Sequence, residues 1–175
     1  MRRVGDRFGV LALVLMSLST IQSAYAQDFQ PSMVGRDGEF SAFALITSDP
    51  NWAEKWDTPP ETSPSYDLAH TLEMGETGTF LVFFSGVDIP NGTTDLICEL
   101  IITRADGSVA SELPSTACAP GALKGPKDHV YLTRVVGEVL VDENEVAGPL
   151  IFEFSVTETA SGKRIPLTIG VEIVK

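Results

Sequence analysis

The chain has 175 residues, with 12 Lys and Arg against 24 Asp and Glu, a net charge of −12 at pH 7. An acidic surface of this kind repels phosphate backbones and anionic headgroups, so nucleic acid and the membrane surface are excluded as expected partners. The length suits one domain with a hydrophobic core of its own.

Arg2, Arg3 and Arg7 precede an almost unbroken apolar run from Val10 to Leu18, and Ala24-Tyr25-Ala26 puts small residues at −3 and −1 before Gln27. Positive start, apolar stretch and small-residue site predict a signal peptide over residues 1–26. The apolar run is shorter than the roughly 20 residues of a spanning helix. No membrane span is therefore expected after cleavage, and the location expected is periplasmic or secreted. Cleavage would take three Arg and Asp6, leaving 149 residues with 9 basic and 23 acidic side chains, a net charge of −14.

Residues 27–38 read as a flexible N-terminal segment, loose or an edge strand, ahead of a single β-sandwich domain over 39–175. Glu39 to Thr47 is apolar and aromatic enough for a strand, stopped by Ser48-Asp49-Pro50. Asn51 to Tyr66 holds Pro59, Pro60 and Pro64, which forbid a central strand and break any long helix. A long connection is expected there, with at most a helical turn near Trp52 to Lys55. Asp67 to Met74 alternates, placing Leu68, His70 and Leu72 on one face of a predicted strand. Thr79 to Ser85 is a nearly continuous apolar run, the pattern of a buried strand. Asp95 to Thr103 follows, then a turn at Ala105-Asp106-Gly107 and a short strand over Ser108 to Leu113. Pro114 to Asp128 reads as irregular. Val130 to Val141, Leu150 to Glu158 and Arg164 to Val174 are the last three strands, the final two joined by a short hairpin loop ending in Gly162-Lys163. Seven or eight short strands between turn signals predict an all-β, antiparallel sandwich.

Cys98 and Cys118 are the two cysteines of the chain. In an oxidising compartment an isolated pair reads as a structural disulfide. A redox-active pair would sit closer together, as in Cys-x-x-Cys.

Gly148-Pro149-Leu150-Ile151-Phe152-Glu153-Phe154-Ser155-Val156, the Ser161-Gly162-Lys163-Arg164 turn and the alternation from Ile165 to Val174 resemble the closing strands of an immunoglobulin-like or fibronectin-type sandwich. The resemblance implies an immunoglobulin-like architecture over the C-terminal third and no particular function. Leu150 stands where such domains carry a corner tyrosine. The cysteines are also closer together than the inter-sheet pair of antibody domains.

No catalytic constellation is expected. His70 and His129 are the only histidines, and Phe84-Ser85-Gly86 lacks the first glycine of a nucleophile elbow. For metals, the candidates are His70 and His129 (with Met74 or Met33) for copper, and Asp142 and Asn144 in the Asp142 to Glu145 run for calcium. The acidic run departs from a calcium loop because Val146 takes a ligand position. Trp52, Trp56 and Tyr66 are the candidate binding residues. Aromatic faces near acids stack on sugars or anchor protein partners, and equally cap the open end of a sandwich. The expectation is a non-enzymatic exported module that binds a protein or envelope component, without cofactor; the alternative is an extracytoplasmic copper or calcium protein. A third reading is an accessory subunit whose acidic face docks on a basic partner. Oligomeric state is left open by the sequence.

Overall fold

The computed structural model describes residues 29–57, 64–89 and 92–175. The expected signal peptide, its cleavage site, Pro59 and Pro60 lie outside the described residues. Nine strands and one short helix follow in the order β1 (Ser32–Asp37), β2 (Phe40–Thr47), α1 (Trp52–Asp57), β3 (Thr71–Glu73), β4 (Thr77–Ser85), β5 (Leu96–Thr103), β6 (Val109–Ala117), β7 (Tyr131–Leu140), β8 (Gly148–Glu158) and β9 (Lys163–Val174). They form an all-β sandwich of two sheets, a four-stranded one ordered β1-β2-β4-β7 and a five-stranded one ordered β3-β9-β8-β5-β6.

Alternation decides which side chains meet between the layers. Phe40, Ala42, Ala44 and Ile46 on β2 face Phe152, Phe154 and Val156 on β8 and Ile165, Leu167, Ile169 and Val171 on β9, all buried in one core. Phe80 stacks on Phe152 at 5.2 Å and meets Phe154 edge-on at 5.6 Å. Each such ring, fully buried, contributes about 1.5–3 kcal/mol of transfer free energy. Cys98 and Cys118 are joined in a buried disulfide, with Cα atoms 5.8 Å apart, tying β5 to the end of β6.

Three sequence expectations change. The strand expected over residues 67–74 shortens to β3, which pairs in parallel with β9 through Leu72↔Ile173. Ala69 and Leu72 are buried, while Leu68 and His70 face solvent, so of the face expected to carry Leu68, His70 and Leu72 only Leu72 packs, and the buried side changes between Ala69 and Leu72. The chain here is crossing from one sheet to the other, with Leu68 bridging Thr47 and only Thr71 to Glu73 in register with β9. Pro114 does not end β6, which continues to Ala117. A proline is tolerated because β6 is the outer strand of its sheet and Pro114 falls in the register shift between Leu113 and Thr116, where it has no paired residue on β5. Of the two readings of residues 27–38, loose or an edge strand, Ser32–Asp37 takes the second as β1, paired throughout with β2, so the sandwich begins before residue 39.

The four sheet edges differ. β1 lies against β9 and closes one side of the sandwich: a side chain at Gly35 would collide with Ile165, and Gly170 N–H donates to Gln30 O at 3.1 Å. β3 is three residues long. On the opposite side, β6 carries Pro114 and two register shifts against β5. That leaves β7.

Candidate functional site

On the outer face of the four-stranded sheet the alternate side chains of β2 and β4 are apolar too. Leu45, Leu81 and Phe83 are buried, although they point away from the main core. Their cover is the α1 segment and the stretch that follows it: Trp52, Trp56 and Tyr66 pack over them together with Phe43 and Leu132. Trp56 sits 5.0 Å from Phe83, and Phe43 and Tyr66 stack on the same ring at 6.1 Å each. The structure thus brings the three candidate aromatics together, on an outer sheet face and not at the open end where a cap was expected.

Polar contacts hold α1 in place. Asp49 Oδ1 accepts from Asn51 N–H at 2.9 Å, Asp49 Oδ2 pairs with Lys55 Nζ, and Lys55 also donates to Ser65 O at 3.2 Å. Thr47 Oγ1 donates to Asp67 O and accepts from Asp49 N–H, so the Thr47 hydroxyl and the Asp49 N–H are both satisfied, whereas the buried Tyr66 hydroxyl has no hydrogen-bond partner among the described residues. The Lys55 hydrogen bond, then the Asn51 N–H, hold the Asp49 carboxyl below its ordinary range. Burial, with a smaller contribution from Asp49, pushes the Tyr66 phenol up.

β7 begins well protected. Two additional residues lie between Leu132 and Val136 relative to β4, and Arg134 N–H at this bulge donates to Cys118 O at 2.9 Å. Beyond it, Val136 to Leu140 run in unbroken register with Leu81 to Thr77. At the far end Gly75, with φ of 85°, donates to Val141 O, and Val141 N–H donates to Glu76 O at 3.0 Å. This is a bulge with glycine in its left-handed position. Because hydrogen-bonded pairs alternate in an antiparallel ladder, residues 141, 139 and 137 bond to β4. Val136, Glu138 and Leu140 therefore aim their backbone N–H and C=O groups away from the sheet. Their side chains line the outer face, where Val136 is 40 % and Leu140 60 % exposed.

The metal candidates are not assembled. His70 is exposed and its carbonyl accepts from Glu172 N–H at 3.0 Å. His129 rests edge-on against Tyr131 at 4.9 Å. Asp142 Oδ1 accepts from Asn144 N–H at 2.8 Å, and Glu145 pairs with Arg104 at 2.6 Å, so the acidic run is folded onto itself and onto a guanidinium. Among the described residues no group of three or more His, Cys, Asp or Glu is placed to hold a metal ion.

The β7 edge escaped the sequence reading. Its signal was present as Val136-x-Glu138-x-Leu140, a solvent-side alternation with two apolar members, but nothing local says that a strand lacks a neighbour.

No family model matches the chain, and no curated protein matches it. Among solved structures, the C-terminal domain of wzt is similar over 85 % of this chain and 81 % of that one, at 15 % identity and a TM-score of 0.46. A Niemann-Pick type C2 protein from Japanese carpenter ant is similar over 83 % and 98 %, at 14 % identity and a TM-score of 0.39. A CARDB domain from Pyrococcus furiosus, in complex with di-metal ions, is similar over 61 % and 81 %, at 12 % identity and a TM-score of 0.35.

Proposed function

We propose that the protein is an exported, non-catalytic binding module of the periplasm or extracellular space that captures an extended segment of a protein partner along β7. The observation that carries this reading is the stretch from Val136 to Leu140, which among the described residues has no strand on its outer side. It offers three outward residues' worth of backbone donors and acceptors, flanked by exposed Val136 and Leu140, while the other three sheet edges are closed, short or guarded. Strand addition draws affinity from main-chain hydrogen bonds and specificity from alternate side chains. Glu138, central on the outer face, selects a partner strand with a cation opposite it, in keeping with the acidic charge of the whole. Export is supported by the leader pattern of residues 1–26 and by the buried disulfide, a bond that persists in oxidising compartments.

The test uses Glu138→Pro. The Glu138 N–H points away from β4, so proline there removes an outward donor and leaves the inner ladder intact. A photo-crosslinking side chain at Leu140, in cells of the native host, is expected to join the protein to a partner. E138P is expected to abolish the adduct with an unchanged circular dichroism spectrum. An adduct that survives E138P, or one that forms only from a probe at Val109 on β6, refutes the reading. Mass spectrometry of the exported protein is expected to find Gln27 at its N-terminus.

A further inference from the structure

At the end of the outer sheet face, next to the aromatic layer, three segments distant in sequence surround an open depression of about 610 Å³. That lies within the roughly 300–1,000 Å³ of small-ligand sites. β1 supplies Arg36, β2 Ser41, β4 Ser85, and the connection before β7 supplies Lys127 and Asp128. Arg36, Ser41 and Ser85 form a cross-strand row, Arg36↔Ser41↔Ser85, and so point to the same face. The two serine hydroxyls bond one another at 2.8 Å, which leaves one donor and further lone pairs for a ligand.

The walls are fixed. Lys127 Nζ bridges Glu39 at 2.7 Å and Asp88 at 2.8 Å, and Lys127 O accepts from Gly86 N–H at 2.9 Å. These two carboxylates together raise the Lys127 ammonium above its ordinary range and are themselves lowered by it. Gly86 has φ of 75°, and a side chain there would reach within 1.8 Å of Glu39 O, so the chain passes closer than any other residue permits. Arg36, by contrast, has no ion-pair partner among the described residues.

We infer that this depression binds an acidic saccharide, a uronic-acid unit whose carboxylate pairs with Arg36 and whose hydroxyls meet Ser41, Ser85 and Asp128. A guanidinium without a partner takes a carboxylate bidentately. Paired hydroxyls and a carboxylate suit ring hydroxyls, which both donate and accept. The next row of the same face is Val34↔Phe43↔Phe83, with Val34 exposed and Phe43 half-buried, an apolar surface for the C–H face of a pyranose ring. A phosphate is selected against, because Glu39 and Asp128 of the lining would face its second charge. This site is independent of the β7 edge.

The probe is digalacturonate, titrated calorimetrically at millimolar concentration into the processed protein, with maltose and inorganic phosphate as comparisons. Digalacturonate is expected to bind, with maltose and phosphate at least tenfold weaker. Losing a charge-assisted pair costs about 10- to 100-fold, so Arg36→Ala is expected to weaken digalacturonate by that factor. Arg36→Lys should be intermediate, and a Ser41→Ala/Ser85→Ala double variant should weaken it several-fold. Arg36 is exposed, so R36A is expected to keep the melting temperature of the parent. Absence of digalacturonate binding, affinity unchanged in R36A, or equal affinity for phosphate overturns the inference.

Discussion

Trp56→Ala separates an aromatic layer that stabilises the sheet from one held ready for a ligand. Trp56 is half-buried and lies 5.0 Å from Phe83, a ring only 4 % exposed although it points out of the sandwich. Truncating a fully buried Trp costs about 3–5 kcal/mol. Half burial brings that to roughly 2 kcal/mol, and the lost contact with Phe83 adds about 0.5–1 kcal/mol. The expected loss is about 2–3 kcal/mol, which for a domain of this size lowers the melting temperature by about 5–10 °C. Urea denaturation followed by far-ultraviolet circular dichroism reads it, with the slope unchanged. Phe83→Ala should cost about 3–5 kcal/mol. Combined with W56A it should fall short of additivity by about 1 kcal/mol, since each change removes the other's partner. If W56A loses less than about 0.5 kcal/mol, the level of an ordinary surface substitution, Trp52, Trp56 and Tyr66 are not a structural layer. Their exposure would then be explained by a partner.

Replacing Cys98 and Cys118 together by alanine opens a loop of 20 residues and is expected to cost about 3 kcal/mol from loop-closure entropy; a melt insensitive to reductant would contradict this. Gly86→Ala is expected to lose more than the roughly 1–3 kcal/mol of a strained left-handed residue, because its side chain also meets Glu39 O; a calorimetric melt within 2 °C of the parent would refute the close approach. Acid should loosen α1. The Asp49 carboxyl is held below its ordinary value by Lys55 and the Asn51 N–H, so its contribution is complete above the unfolded value of about 3.9 and is lost as pH falls toward the lower folded one. Tryptophan fluorescence should report the change below about pH 4, and Asp49→Asn should remove that step and lower stability at neutral pH.

The central strands of the sandwich were legible because apolar content or alternation marks each of them locally. Phe40 to Ile46 is rich in apolar and aromatic residues, Ile165 to Ile173 alternates, Thr79 to Ser85 is a nearly continuous apolar run, and all became largely buried strands. The continuous run on β4 had a second meaning that composition did not reveal. Phe80, Val82 and Phe84 enter the main core, whereas Leu81 and Phe83 need a second cover on the outer side, which α1 provides. Leu68 and His70 were misplaced because the chain passes from a bridge with Thr47 at Leu68 to pairing with β9 at Thr71, so one alternation does not run through both, and Ala69 and Leu72 are buried from opposite expected faces. The depression around Arg36 was invisible for another reason. Ser41, Ser85 and Lys127 are separated by 44 and 42 positions and meet only through sheet register and the Lys127 clamp.

The contrast between β6 and β7 bears on whether the free edge is a hazard or an instrument. Both are outer strands on the same side of the sandwich, and the first carries the usual protections, a proline and irregular pairing. β7 uses its bulge and the bond from Arg134 to Cys118 O to protect only its first half. The second half retains regular pairing and two exposed aliphatic side chains around a single charge. Self-association centred on that stretch would set Glu138 directly against Glu138 of a second copy, a like-charge pair that antiparallel strands disfavour. The same carboxylate attracts a foreign strand carrying a cation. One residue thus opposes pairing with itself and favours pairing with another, so Glu138→Lys is expected to lose the native partner. It is also expected to repel itself no less than the parent, leaving the sedimentation coefficient unchanged. A shift to dimers in E138K would show that the edge discriminates by something other than this charge.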